Sequence, residues 1–571
     1  MSSEHPRTAL SPAHYPPPSD PAQDAIKRTL DPADARIEVG VAIVGGGPAG
    51  LACAIRLLQL LEGAPDLMGR LGEVPVAVIE KAKSCGGHEV SGAVMRPEGL
   101  KALFPDLDPS DWPTYGAVTN DSVYWMRGPN SQLALRPTPP TFRNHGNHVV
   151  SISELARWLG SRAEEAGAYI LTETAAAQLL VTDGAVRGVR SGDKGRSRNQ
   201  ESSGRFEPGT DIVAQATVLA DGPWGYLGRA AIEVFDLAEG CEPQTWSLGV
   251  KEVWQVPKPL DRVIHTLGWP LRYSARWREF GGSWIYPMGA DKVSIGFVLG
   301  LGYTDATVSA HDLLQLFKTS TLARGILEGG ERLAWGAKVI PEGGYFAIPK
   351  LTAPGMVLCG DTAGMVNVPQ LKGIHYAILS GIYAAEAIFE ELGRGSNDFS
   401  AYETRFHESA VAKELYVARN MRQPFDRGFY AGSAIANLMV ATGGAFPGGR
   451  WHNHPDAESP MEVGNSQDSY PKPDGAYIFD KLSSVYLSGT DTRDDEPSHI
   501  RIQTNVPRQI AETWRSMCPA GVYEIAENGS ATDLVEVRVN SANCVQCGAI
   551  SAKGGQLTPA EGGTGPGYTL T

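Results

Sequence analysis

Two cysteines three residues apart open the segment CVQCGAISAKGG, residues 544–555. Cys544 and Cys547 have the C-x₂-C spacing that lets two thiolates reach one metal centre. An iron–sulfur run of the form C-x₂-C-x₂-C would place a third cysteine at position 550, where the sequence has Ile550. Seven cysteines, with no apolar signal segment ahead of them, argue for reduced thiols in a reducing compartment rather than a disulfide framework.

A second group of residues points to a dinucleotide. VAIVGGGPAGLACAIRLLQLL reads as an apolar strand, a Gly-rich turn and a helix, with Gly45, Gly47 and Gly50 in G-x-G-x-x-G order. The first glycine makes the tight turn, the second lets the backbone approach a pyrophosphate, and the third permits close helix–strand packing. The helix N-terminus then offers unpaired N–H groups and a favourable dipole to the phosphates. The next strand, VPVAVIEK, ends in Glu80, placed to accept hydrogen bonds from a ribose. Further on, PGMVLCGDTAG brings Gly360 and Asp361 to the end of an apolar strand, the way many flavoproteins close an FAD site, and ATVLADGPWG is the matching middle element. No second G-x-G-x-x-G follows a strand, so no NAD(P)H domain of its own is expected. No C-x₄-C follows the first motif, which disfavours disulfide reductases.

The elements that must position these groups fit a soluble, multi-domain chain of 571 residues with ordinary apolar and charged content. The net charge of −14 excludes a general nucleic-acid binder. Residues 1–38 are Pro-rich and acidic and are expected to form a disordered arm. Residues 428–448 carry no charge, yet their glycines, Pro447 and Asn437 argue against a spanning helix. Lys413, Arg419, Arg422, Arg427 and Arg450 flank the stretch. A monotopic anchor on an anionic leaflet and a buried core segment are both compatible with that pattern.

With these pieces placed, the chain resembles the electron transfer flavoprotein–ubiquinone oxidoreductase family from about residue 40 to its end. The resemblance rests on stretches such as NHGNHVVSISEL, CEPQTWSLGVKEVW, HTLGWPL, NVPQLKGIHYAILSG, YPKPDGAYIFDKLSSVYLSGT, CPAGVYE and EGGTGPGY. It implies an α/β chain: a glutathione-reductase-like, FAD-binding Rossmann-type domain (39–235 and 340–427) with an interleaved α+β quinone domain (236–339). A membrane-contacting segment (428–448) and a C-terminal ferredoxin-like iron–sulfur domain (449–571) would follow. By the same resemblance, Gly45, Gly47, Pro48, Ala49 and Gly50 would hold FAD with Glu80 and Lys81. Ser91, Gly92, Gly360 and Asp361 would complete that site. Gly281 and Gly282, in FGGSW, would present backbone groups to a quinone headgroup. Cys518, Cys544 and Cys547 would ligate a [4Fe–4S] cluster.

The resemblance also implies electron transfer flavoprotein and ubiquinone as partners. The enzyme would sit on a respiratory membrane, at the cytoplasmic face of a bacterial inner membrane. Ile550 departs from the family's ligand pattern. Four readings stay open: a cluster with Ser551, water or another oxygen on the fourth iron, a three-iron cluster, zinc, or a vestigial site of free thiols. A cluster-less flavoprotein that reduces or oxygenates an apolar substrate is the alternative function.

Overall fold

The computed structural model describes residues 10–526 and 534–571. The run ending in Val44 forms the strand Arg36–Val44, whose last six residues are buried. It pairs in parallel with Val76–Ile79 on one side and with Asp211–Leu219 on the other, and Met356–Leu358 extends the parallel set. Strands this uniformly apolar belong to a sheet covered on both faces. Helix Pro48–Glu62 supplies part of that cover and packs along Ile374–Gly393. This is the Rossmann-type layer expected for the glycine motif.

A second sheet of seven strands runs in the order Glu331–Pro341, Trp246–Gln255, Lys292–Gly300, Gly281–Met288, Val263–Gly268, Asp121–Gly128 and Ser131–Ala134. This sheet reaches beyond 236–339, the bounds expected for the interleaved domain, because the segment 121–134 contributes two strands. Strand Trp246–Gln255 is buried along nearly its whole length, although it carries Lys251 and Glu252. Glu252 accepts bonds from Lys318 (2.9 Å), Gln315 (3.0 Å) and the Trp254 indole (2.7 Å), with Arg332 at 3.4 Å. Burial pushes its carboxyl up, but the Lys318 and Arg332 charges outweigh burial and hold it at about 2.

Glu252→Leu is expected to destabilise this domain by about 3–5 kcal/mol, because two buried cations lose their counter-charge. Denaturant unfolding measures the loss. The wild-type contribution has a definite pH sign. The folded-state value lies below the ordinary 4.5, so the stabilisation is present above about pH 4.5 and is lost as pH falls from there toward 2.

The N-terminal arm differs from its expectation. Between residues 10 and 38 it forms a short helix, Pro21–Asp24, and a strand, Ile26–Lys27, that pairs with Ala176–Thr182. The arm is tied down at the buried carboxylate of Asp211, which Lys27 reaches at 2.7 Å alongside Arg190 at 2.8 Å. Residues 1–9 lie outside the described residues.

The segment 428–448 agrees with the expectation that it does not span a membrane. Only Phe429–Ala441 is helical, and among the described residues no helix is long and apolar enough to cross a membrane. The helix buries Gly432 and Met439, while Tyr430 is 76% and Leu438 47% exposed. Phe446, in the turn that follows, is exposed as well. Three of the five flanking basic residues remain exposed, Lys413, Arg427 and Arg450. Arg422 pairs with Glu342, Arg450 pairs with Glu242, and Arg419 is buried. The exposed apolar side chains Tyr430, Leu438 and Phe446 are thus flanked by three exposed cations, one of them paired.

In the C-terminal region a three-stranded antiparallel sheet, Asn505–Pro507, Leu534–Val539 and Tyr523–Ala526, packs on helix Arg508–Met517. Cys518 sits at that helix's C-cap, and Cys544 ends the turn Ser541–Asn543.

Candidate functional site

The glycine loop shapes one wall of the principal cavity, which holds about 1420 Å³ of atom-free space, partly open to solvent. Gly45 has φ +107°, and a Cβ there would meet the Ala220 carbonyl oxygen at 2.2 Å, so the tight turn requires glycine. A Cβ on Gly50 would lie 2.1 Å from the Gly45 oxygen, which is the close helix–strand contact the third glycine permits. Gly47 is different. A Cβ there would approach only Glu89 within 4 Å, at 3.1 Å, because this glycine faces the cavity. Pro48 and Ala49 line the same wall at the N-terminus of helix Pro48–Glu62.

The Glu80 carboxylate folds back on the loop, accepting from the Gly46 N–H at 2.8 Å and the Ala82 N–H at 2.7 Å. Lys81 leaves the cavity and donates to the Gln546 side chain at 2.7 Å, so it bridges the nucleotide loop to the segment between Cys544 and Cys547. Ser91 and Gly92 line the cavity, and Lys251 donates to the Ser91 carbonyl at 2.8 Å. Gly360 lies just behind the wall, with its N–H on the Ser380 hydroxyl at 2.9 Å. Asp361 faces the cavity, and burial, with Glu89 adding repulsion, pushes its carboxyl up to about 7.

Glu89, Lys251, Trp284 and Lys338 also line the cavity and were not singled out as site residues from the sequence. Burial lowers the Lys251 ammonium to about 7. A lysine within the largely apolar run WSLGVKEVW, beside Glu252, was the sequence signal that could have pointed to it. The cavity offers a backbone approach to a pyrophosphate at Gly47, a carboxylate beside the loop, and an apolar body with a few polar groups. These features fit FAD.

Gly281 and Gly282 are not among the residues lining that cavity, but Val298, the strand partner of Gly282, and nearby Trp284 are. Gly281 has φ +141°, and a Cβ would meet the Val298 oxygen at 1.9 Å. Its carbonyl accepts from the Tyr273 hydroxyl at 3.2 Å. The Tyr273 ring lies 4.1 Å from that of Phe429, which itself lies 4.7 Å from Trp125. An aromatic chain thus joins the exposed helix Phe429–Ala441 to the glycine pair.

Two sequence models describe these regions. One, "ETF-QO, ubiquinone-binding", matches residues 246–340, most of the second sheet. The other, "Electron transfer flavoprotein-ubiquinone oxidoreductase, 4Fe-4S", matches residues 475–569. A probable mitochondrial electron transfer flavoprotein-ubiquinone oxidoreductase of Schizosaccharomyces pombe is 38% identical over 566 residues, covering 95% of this chain and 88% of that protein. This chain belongs to the electron transfer flavoprotein–ubiquinone oxidoreductase family. Another family member, the probable enzyme of Acinetobacter baylyi, is 34% identical and covers 93% of this chain and 98% of its own length. The human mitochondrial oxidoreductase is 36% identical, covering 93% and 89%. Among solved structures, a geranylgeranyl bacteriochlorophyll reductase-like protein from Thermoplasma acidophilum shares the fold. Its TM-score is 0.52 at 18% identity, over 76% of this chain and 96% of that one.

The family's iron–sulfur region forms a second, smaller cavity here, lined by Cys518, Cys544, Cys547, Ile550 and Tyr523 among others. The Val522 N–H lies 3.5 Å from the Cys518 sulfur and the Gln546 N–H 3.4 Å from the Cys544 sulfur. Among the described residues, no three His, Cys, Asp or Glu side chains are gathered closely enough to hold a single ion. Ser551 is removed as a fourth ligand. It lines a different cavity, beside Trp224 and Asp361, and its hydroxyl accepts from the Leu557 N–H at 3.0 Å. The other cysteines, Cys53, Cys85, Cys241 and Cys359, do not line the thiol cavity. The donor set suits an iron–sulfur group held by three thiolates and does not supply the four of a complete [4Fe–4S] site.

Proposed function

We propose that this chain, with FAD in the principal cavity, takes electrons from a reduced electron transfer flavoprotein and delivers them to ubiquinone at a membrane surface. The observation that carries this reading is the aromatic chain from Phe429 through Tyr273 to the Gly281 carbonyl. It gives an apolar quinone a route from the exposed helix to the strand whose Trp284 lines the cofactor cavity. FAD supplies a carrier able to exchange electrons singly or in pairs.

The protein's own residues do the positioning. The Gly47 backbone and the helix N-terminus would receive the pyrophosphate, Glu80 would receive the ribose, and Asp361 would line the site on the flavin's side. Lys251, held near neutrality by burial, is able to hold or release a proton beside the Ser91 carbonyl. Gly281 and Gly282 would bring the strand close to a quinone headgroup, with the Gly281 carbonyl already held by the Tyr273 hydroxyl at 3.2 Å. We place the protein peripherally on a respiratory membrane, at the cytoplasmic face of a bacterial inner membrane. Protease accessibility in intact spheroplasts, compared with inverted vesicles, reads the side.

The test uses the purified holoprotein and a soluble quinone analogue with three alternative donors. Reduced electron transfer flavoprotein is expected to support turnover, and NADH and NADPH are not. Turnover with a nicotinamide donor, or oxygen-dependent modification of an apolar substrate in place of quinone reduction, would overturn the reading.

A further inference from the structure

We propose that the thiol cavity holds a three-iron, four-sulfide cluster on Cys518, Cys544 and Cys547, and that Ile550 excludes the fourth iron. The proposal rests on the family reading that an iron–sulfur group occupies this cavity. A four-iron cubane presents four irons, each needing one ligand from outside the core, and cysteine thiolate is the usual one. Removing one iron corner leaves three irons and three requirements, which is the number of thiolates present.

The chemistry of the fourth corner decides between an incomplete cubane and a complete one capped by oxygen. Ile550 lines the cavity with the three cysteines and is 4% exposed. Its side chain is fixed by close packing, since a Cβ added at Gly555 would meet Ile550 Cγ1 at 2.6 Å and Ile502 Cγ2 at 2.8 Å. It belongs to the same apolar cluster as Cys518, Cys544, Ala549 and Val522. The hydroxyl nearest in sequence, that of Ser551, is turned away and occupied. Lys553 is also committed elsewhere, with its ammonium directed at the Asp456 and Tyr303 carbonyls. Among the residues lining the cavity, Tyr523 alone adds a polar side chain to the three thiols. An aliphatic corner of this kind gives a fourth iron neither a thiolate nor a bed for ordered water.

The experiment uses full-length protein prepared without oxygen, with iron, acid-labile sulfide and FAD counted on the same sample. The expected result is about three irons and four sulfides per flavin, with the paramagnetic EPR signal of an oxidised three-iron cluster. Added ferrous iron and reductant should leave the wild-type count unchanged. The same treatment of Ile550→Cys should raise the count toward four and remove that signal, because the new thiol enters the cavity the other three line. Four irons per flavin in the untreated wild type would overturn the inference while leaving the family reading intact. Full flavin with no iron and no sulfide would overturn both. Ile550→Cys that stays at three irons would overturn the role assigned to position 550. Tyr523→Phe should keep the three-iron count, and loss of one iron from a four-iron wild type in that variant would instead identify the phenol as a ligand.

Discussion

Gly47→Val is expected to yield a folded protein that cannot retain FAD. The three glycines of the loop have different neighbours, and that difference makes the result specific. Valine at position 50 would drive its Cβ into the Gly45 carbonyl at 2.1 Å, and valine at 45 would combine a forbidden φ with a 2.2 Å clash. Both would disturb the fold itself. At position 47 the added carbon meets only the Glu89 carboxylate, at 3.1 Å, and otherwise points into the cavity. The side chain therefore fills the space that a pyrophosphate needs while the strand and helix keep their packing. Loss of the phosphate contacts should weaken flavin binding by about a thousandfold or more, equivalent to about 4 kcal/mol. Flavin absorbance after gel filtration, together with circular dichroism and the denaturation midpoint, separates a folded apoprotein from a misfolded one. A folded Gly47→Val protein that keeps stoichiometric FAD would show that the cofactor lies elsewhere.

The second large effect concerns the membrane. Tyr430→Asp with Leu438→Asp is expected to release the protein from vesicles without loss of flavin. Both side chains are exposed on Phe429–Ala441. Phe429 itself packs on Trp125 and Tyr273 and is the wrong position to change. Withdrawing two apolar side chains from the interface removes about 3–6 kcal/mol, so partitioning should fall by about a hundredfold to ten-thousandfold. Reduction of membrane-embedded ubiquinone should fall with it, whereas reduction of a soluble analogue should persist. Because Arg422 and Arg450 are already paired within the protein, wild-type binding should respond only modestly to salt. Co-sedimentation with vesicles at two ionic strengths measures both effects. An unchanged bound fraction in the double variant would assign the helix to a protein contact instead.

The nucleotide loop was legible because its chemistry is local. Gly45, Gly47 and Gly50 act through backbone geometry within six residues, and the apolar strand before them and helix after them are visible in the same short run. Glu80 was legible for the same reason, at the end of the next strand. The opposite wall was not, because Lys251, Trp284 and Lys338 come from a separate sheet and reach the cavity only through strand pairing across distant segments. No spacing rule encodes that. The link from Lys81 to Gln546 joins residues 465 positions apart and was equally hidden.

Composition misled at the Pro-rich arm, which reads as disordered until Lys27 is seen to reach Asp211, buried in the central sheet. The glycines that argue against a spanning helix in 428–448 act in that way, since Gly443 and Gly444, both at positive φ, end the helix Phe429–Ala441. The three cysteines were found by motif and resemblance, but sequence could not say where the Ser551 hydroxyl points. That is a property of the short helix Ala549–Ala552 and of the Leu557 amide it faces.

Quinol formation driven by reduced electron transfer flavoprotein, followed in vesicles that contain both this protein and ubiquinone, tests the central claim most directly. The predicted result is flavin reduction by the donor followed by stoichiometric quinol, with Gly47→Val inactive and the Tyr430→Asp, Leu438→Asp protein active only on a soluble analogue. Prompt flavin reduction with no quinol, in vesicles to which the protein is bound, would contradict the account.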